Sequence, residues 1–167
     1  FALAGVCDAR PSDHEPEFRE WLAAGKHGEM SYLARNIEKR LDPCQLLPGA
    51  KSIICVADRY EGQTSKCQNA ETPKQRFGNI ARYARGDDYH VVMRKRLTKI
   101  CREFSEELPN ETFRAGVDTA PVMEREHAQR AGLGAIGKNT LLIERGVGSW
   151  LLLGEIITTM SVAPSPP

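Results

Sequence analysis

One stretch constrains this chain more than any other. It runs from Arg114 to Asn139, RAGVDTAPVMEREHAQRAGLGAIGKN. A short apolar run ends in a single acid, Asp118. A helix-like segment follows, then a turn that holds Gly132, Gly134 and Gly137. An acid at a strand end, facing a glycine turn, is a common way to build a ligand pocket. Glycine carries no side chain, so backbone there can approach a bulky group closely. The rest of the chain is expected to supply walls and floor.

Strand and helix signals alternate around that stretch. Phe1 to Cys7 reads as a short apolar strand. Ser12 and Glu15 have capping-box spacing ahead of a helical stripe of Phe18, Trp21 and Leu22, and Gly25 stops it. Pro43 and Pro48 bracket a short turn. Ser52 to Ala57 is a continuous apolar run of strand length, expected to be buried on both faces. Asp58 to Gly78 is polar and reads as a long loop. The spacing of Met93, Leu97, Ile100, Cys101, Phe104 and Leu108 predicts the longest helix over Asp88 to Leu108, with Arg94, Lys95, Lys99 and Arg102 on its other side. Thr112 to Val117 is the strand that delivers Asp118, and a helix is expected from Pro121 to about Ala131. Thr140 to Ile143 and Trp150 to Thr159 read as strands of a hairpin. This order gives an α/β or α+β domain with a mixed, partly antiparallel sheet flanked by helices.

Composition excludes several classes. With 167 residues, 41% hydrophobic and 27% charged, the chain suits one globular domain. A net charge of +1 gives no bulk case for nucleic acid or membrane, so any RNA contact needs a local patch. No run approaches the roughly 18 apolar residues of a membrane span. Cys7, Cys44, Cys55, Cys67 and Cys101 form no C-x-x-C pair, which argues against a disulfide framework, a zinc site or an iron–sulfur site within the chain. A reducing, cytoplasmic setting fits. Phe1 as a first residue and the proline-rich SVAPSPP at the end are expected of an excerpt from a longer protein. Residues 1–160 then form the domain, and 161–167 begin a linker.

Asp118 is the first chemical candidate. If partly desolvated at its strand end, it is a usable proton donor; alternatively it caps the helix at Pro121. AGLGAIGKN matches G-x-G-x-x-G but follows a helix, the wrong context for a dinucleotide fold. It is either a tight structural turn or a close approach to a flat cofactor. RYARGDDYH interleaves Arg82 and Arg85 with Tyr83, Tyr89 and His90, which suits either phosphate and ring contacts or a solvated loop with a helix cap. Arg40 is placed to pair with Asp42 or to enter a ligand site.

Five pieces, in order and covering Gly25 to Thr159, are GKHGEMSYLARN, EKRLDP with LLPGAKSII, ARYARGDDYH, VDTAPVMERE with RAGLGAIGKNTLLI, and GSWLLLGEIIT. Together they resemble the epoxyqueuosine reductases. The resemblance implies a nitroreductase-like domain that holds cobalamin, with two 4Fe-4S clusters in a further ferredoxin-like domain. It implies reduction of epoxyqueuosine to queuosine at the tRNA wobble position, in a cytoplasmic monomer fed by a cellular electron donor. Asp118 of V-D-T would be the catalytic acid. By motif, Arg40, Ala81, Gly137, Thr140, Leu142 and Leu153 would join Asp118 as cobalamin contacts, and no side chain would ligate the metal. The cluster cysteine runs do not occur in this chain, so it would be inactive alone. Ala135 stands where many relatives have an aromatic residue. Two other readings are a corrinoid reductase of the dehalogenase kind and a cobalamin-carrying module without chemistry. The V-D-T acid favours the first reading.

Overall fold

The structure, a computed structural model, describes residues 1–60 and 80–166. Cys67 and most of the expected loop over 58–78 lie outside the described residues. Four strands make the main sheet: β1 (Leu3–Asp8), β2 (Ser52–Arg59), β3 (Phe113–Val117) and β6 (Leu151–Thr158), in the order β1-β2-β6-β3. Between β3 and β6 lie the two-residue strands β4 (Ala135–Ile136) and β5 (Leu142–Ile143). The helices are α1 (Glu15–Ala23), α2 (Ile37–Leu41), α3 (Tyr89–Glu107) and α4 (Glu124–Arg130).

The α/β class with antiparallel pairing is as expected. Among the described strands every pairing is antiparallel, so the parallel component of the expected mixed sheet is not seen there. The expected hairpin also changes partners. β5 pairs with β4, and β6 inserts between β2 and β3. The reason lies in β6 itself: from Leu153 to Thr158 it is buried at every residue, so it needs neighbours on both edges and layers on both faces. A two-residue partner cannot provide that.

The strand period of two sorts the side chains into two cores. Val56, Val117 and Ile156 face α3, which buries Met93, Leu97 and Cys101 against them. Each large apolar side chain buried here contributes about 2 kcal/mol. Cys7, Ile53, Cys55, Ala57, Leu153 and Ile157 face the other way, onto Ala128, Ala131 and Leu133 of α4 and its trailing turn. Gly5 and Gly154 let these layers close. A Cβ at Gly5 would lie 2.1 Å from the Ala131 carbonyl oxygen, and one at Gly154 would lie 2.9 Å from Leu97.

The long helix starts one residue later than the sequence pattern predicts, at Tyr89. Asp88 is its cap and accepts from the His90 amide at 3.0 Å. α4 starts later still. Pro121 to Met123 form a turn, and the helix begins at Glu124. The final segment is tied to the sheet: the Val6 amide donates to Ser165 Oγ at 3.0 Å, and the Ser165 amide to the Val6 carbonyl at 2.9 Å.

Candidate functional site

β3 ends at Val117 and presents Asp118 at the rim of the sheet. Because α4 begins only at Glu124, with Met123 as its cap position, Asp118 caps no helix, and that reading is excluded. Its partner is His90, on the first turn of α3. His90 Nε2 lies 3.1 Å from Asp118 Oδ2, and Nδ1 lies 2.7 Å from Asp88 Oδ1. An imidazole with an acid at each nitrogen keeps both as donors only when it is protonated. Burial lowers the His90 pKa, but the bonds to Asp88 and Asp118 outweigh it and raise it overall. Tyr89 stacks on the His90 ring at 3.9 Å, and its phenol is pushed up to about 12 by burial and by the charges of Asp118 and Glu124. On the next turn of α3, Arg94 donates to Thr119 Oγ1 at 2.6 Å.

The desolvation expected at Asp118 is found elsewhere. The Asp118 side chain is 54% exposed, because it projects past the last paired residue of β3. Glu124, six residues on, is the desolvated acid. Its Oε2 is buried with no hydrogen-bond partner. Burial, reinforced by the charges of Asp118 and Glu155, raises its carboxyl to about 7. Beneath it, His127 Nδ1 meets Glu155 Oε2 at 2.9 Å, with both side chains almost wholly enclosed. His127 Nε2 and Glu155 Oε1 are also without partners. Opposite Asp118, Arg40 donates weakly to the Val122 carbonyl at 3.4 Å and leaves Nε buried and unpartnered. Burial lowers its pKa while Tyr32, Asp118 and Glu124 oppose that.

Two cavities meet at these acids. The larger, about 980 Å³, lies between an apolar wall of Phe18, Trp21, Tyr32 and Leu33 and a polar one that includes Arg40, Asp118, Glu124 and Thr140. The smaller, about 270 Å³, is bounded by Tyr89, Leu142 and Leu153. Asp118, Glu124 and Arg125 line both. Of the residues chosen from sequence, Arg40, Thr140, Leu142 and Leu153 therefore gather around Asp118. Thr140 sits at a φ of 64° and its carbonyl accepts from Arg125 at 2.5 Å.

Ala81 and Gly137 line neither cavity. Ala81 precedes a short 3-10 turn over Arg82–Ala84. The glycine turn packs on β5: a Cβ at Gly134 would lie 2.5 Å from the Ile143 carbonyl oxygen, and one at Gly137 would lie 2.5 Å from the Ile143 side chain. At these two positions the close approach is to the chain itself, which is the structural-turn reading. His90, Glu124, His127 and Glu155 were not singled out for these roles. The available signals were a lone acid inside the apolar strand LLLGEIIT and the Glu124-x-x-His127 spacing on α4.

Among the described residues no group of three or more His, Cys, Asp or Glu is placed to hold a metal ion. No helix there is long and apolar enough to cross a membrane.

Residues 40–119 match the family model described as epoxyqueuosine reductase QueG, DUF1730. An epoxyqueuosine reductase of Pseudomonas aeruginosa is 41% identical over 99% of the chain and 46% of the relative. The chain thus spans about half the length of the curated relatives it matches. The structure of epoxyqueuosine reductase from Streptococcus thermophilus superposes with a TM-score of 0.88 at 30% identity, over 99% of this chain and 44% of that one. An epoxyqueuosine reductase with a tRNA-Tyr epoxyqueuosine-modified stem loop gives 0.89 at 29% identity, over 99% and 44%. Sequence and fold agree: along nearly its whole length the chain is similar to epoxyqueuosine reductases.

Proposed function

We propose that this chain is the cobalamin-holding, catalytic part of an oxidoreductase that converts epoxyqueuosine to queuosine in tRNA. The observation that carries the reading is that Asp118 lines two neighbouring cavities, one of them large and walled by aromatic side chains, inside a fold shared with epoxyqueuosine reductases. A related structure carries an epoxyqueuosine-modified tRNA stem loop, which supports tRNA as partner. The reading also includes a cytoplasmic setting, a monomer, a cellular electron donor and two 4Fe-4S clusters on residues outside 1–160.

The site fits a corrin. The larger cavity offers aromatic and aliphatic surface together with the Arg40 guanidinium, which among the described residues is held only by a long bond to the Val122 carbonyl and suits the amide rim of such a ring. Arg40, Thr140, Leu142 and Leu153 would hold it. When bound, cobalamin supplies the electron-rich centre that the side chains lack. The chain's own residues orient the substrate and move protons. Removing an epoxide oxygen as water takes two electrons and two protons. Asp118 lines both cavities and is the donor to that oxygen. His90 engages Oδ2 and fixes the plane of the carboxyl.

A visible-absorption titration of the chain with cobalamin tests the reading. Saturable binding with the base-off spectrum is expected, and a chain extended to the length of its relatives should then turn over epoxyqueuosine-tRNA. A spectrum unchanged from free cobalamin in both forms would overturn it.

A further inference from the structure

We propose that Glu124 is the proton reservoir of this site, holding a carboxylic-acid proton and passing it to Asp118, the carboxylate that hands protons on to the epoxide oxygen. This rests on the reading of the chain as an epoxide-removing reductase. The need arises from the balance of that reaction. The first proton opens the ring and leaves a hydroxyl; the second lets that hydroxyl depart as water. Two electrons come from the reductant that the family's activity requires. A single carboxyl can give only one proton before it must be recharged.

Glu124 is placed for the recharge. It lines both cavities together with Asp118, so the two carboxyls border the same space. Its Oε2 is buried and accepts no hydrogen bond, so no donor at that oxygen favours the anion. The charged and titratable groups facing it are Asp118 at the end of β3, His90 and Tyr89 on α3, Glu155 on β6, Arg125 on its own helix and Arg40 from α2. The desolvation and the two acids hold its proton up to about pH 7, against the opposing charges of Arg125 and His90.

His90 also carries a proton near Asp118 but is a poorer reservoir. Both its N–H groups are committed, to Asp88 and to Asp118, and loss of either would undo the clamp that orients Asp118. The Glu124 proton supports no such contact. In the transfer, the Glu124 O–H bond breaks, the Asp118 carboxylate gains the proton, and Glu124 is left as a carboxylate that solvent in the larger cavity recharges.

The test uses two measurements. Infrared difference spectra of the chain across pH should show a protonated-carboxyl band that titrates near neutrality. That band should be absent in Glu124→Gln and should shift to lower pH in Asp118→Asn, which removes a facing charge. Single-turnover rates in a chain of the relatives' full length should fall as pH rises through neutrality. Glu124→Gln should lose about tenfold or more at acid pH and lose that fall, whereas His90→Gln should keep it. A carboxyl band that titrates in the ordinary acid range, or a Glu124→Gln profile parallel to the wild type, would overturn the proposal and leave the reductase reading intact. Absence of turnover in the wild-type chain would instead overturn the reading on which it rests.

Discussion

His90 Nε2 lies 3.1 Å from Asp118 Oδ2, a contact that joins the first turn of α3 to the end of β3 across 28 residues of sequence. Asp118 alone would swing on an exposed strand end. The second bond, from His90 Nδ1 to Asp88, fixes the ring and so transmits the helix position to the acid. Asp118→Asn in a full-length chain should leave the cobalamin titration unchanged and lower turnover by roughly a hundredfold or more. His90→Gln should lower kcat by about tenfold with little change in KM, since it disturbs orientation and not the walls. Full activity in Asp118→Asn would end its role as proton donor. A change confined to KM in His90→Gln would make His90 a substrate contact.

Glu124 also leaves a mark on stability. Its carboxyl rises from 4.5 to about 7 on folding. Between those values the folded chain holds a proton that the unfolded chain has lost, so stability must fall as pH rises through the window. The shift corresponds to a loss of roughly 3 kcal/mol by the alkaline side. His127 adds a slope of the same sign above 6.5: burial pulls it down, but Glu155 outweighs that and raises it. Glu124→Gln removes the first slope and leaves the second. Thermal melts across pH should therefore be flatter in the variant between pH 4.5 and 6.5, and parallel slopes in that interval would contradict the burial of this acid.

The strand-end acid, the long helix and the family motifs were legible because each is local. α3 follows an apolar spacing within one segment, and V-D-T places Asp118 directly after β3. The glycine turn was legible as a turn, but spacing could not say what the backbone approaches, and the answer is Ile143. The Asp118–His90 and His127–Glu155 pairs were hidden for a different reason. Each joins residues 28 apart, the first because α3 folds back on β3 and the second because β6 lies between β2 and β3, a matter of tertiary burial that a hairpin pattern does not encode. Which acid is the more deeply desolvated is hidden on the same account, since burial depends on what α4 covers.

Gly5 tests the layer that carries Glu124. Its missing Cβ leaves room for the Ala131 carbonyl at the end of α4, and Leu133 Cδ1 would be 2.7 Å away. Backbone atoms cannot rotate aside, so α4 must shift. Gly5→Ala should destabilise the fold by about 1–3 kcal/mol and weaken cobalamin binding, because Glu124, Arg125 and the larger cavity move with the helix. Gly86→Ala, where a Cβ meets nothing within 4 Å, is the control. Equal melting temperatures for the two variants would show that β1 and α4 do not pack this closely.

The solvent side of α3 gives the last prediction. Arg94, Lys95, Lys99 and Arg102 line a groove of about 960 Å³ that reaches Thr119, the residue after Asp118. Arg94 bonds Thr119 directly, so the basic face ends where the proposed substrate nucleotide must sit. Lys99 is only loosely paired, at 3.7 Å from Glu103. With a net charge of +1 for the whole chain, RNA affinity has to come from such a local face. Each phosphate neutralised releases counterions and steepens the fall of affinity with salt. Replacing Lys95, Lys99 and Arg102 together with glutamine should weaken binding of an anticodon stem loop and reduce the slope of log affinity against log salt by about 2 to 3. The same loss should appear with an unmodified stem loop, because phosphate contacts carry no information about the base. An unchanged slope would make this a solvated helix face and move the RNA to the rim formed by Arg82, Tyr83 and Trp150, where Arg82 already lies 4.7 Å over the indole.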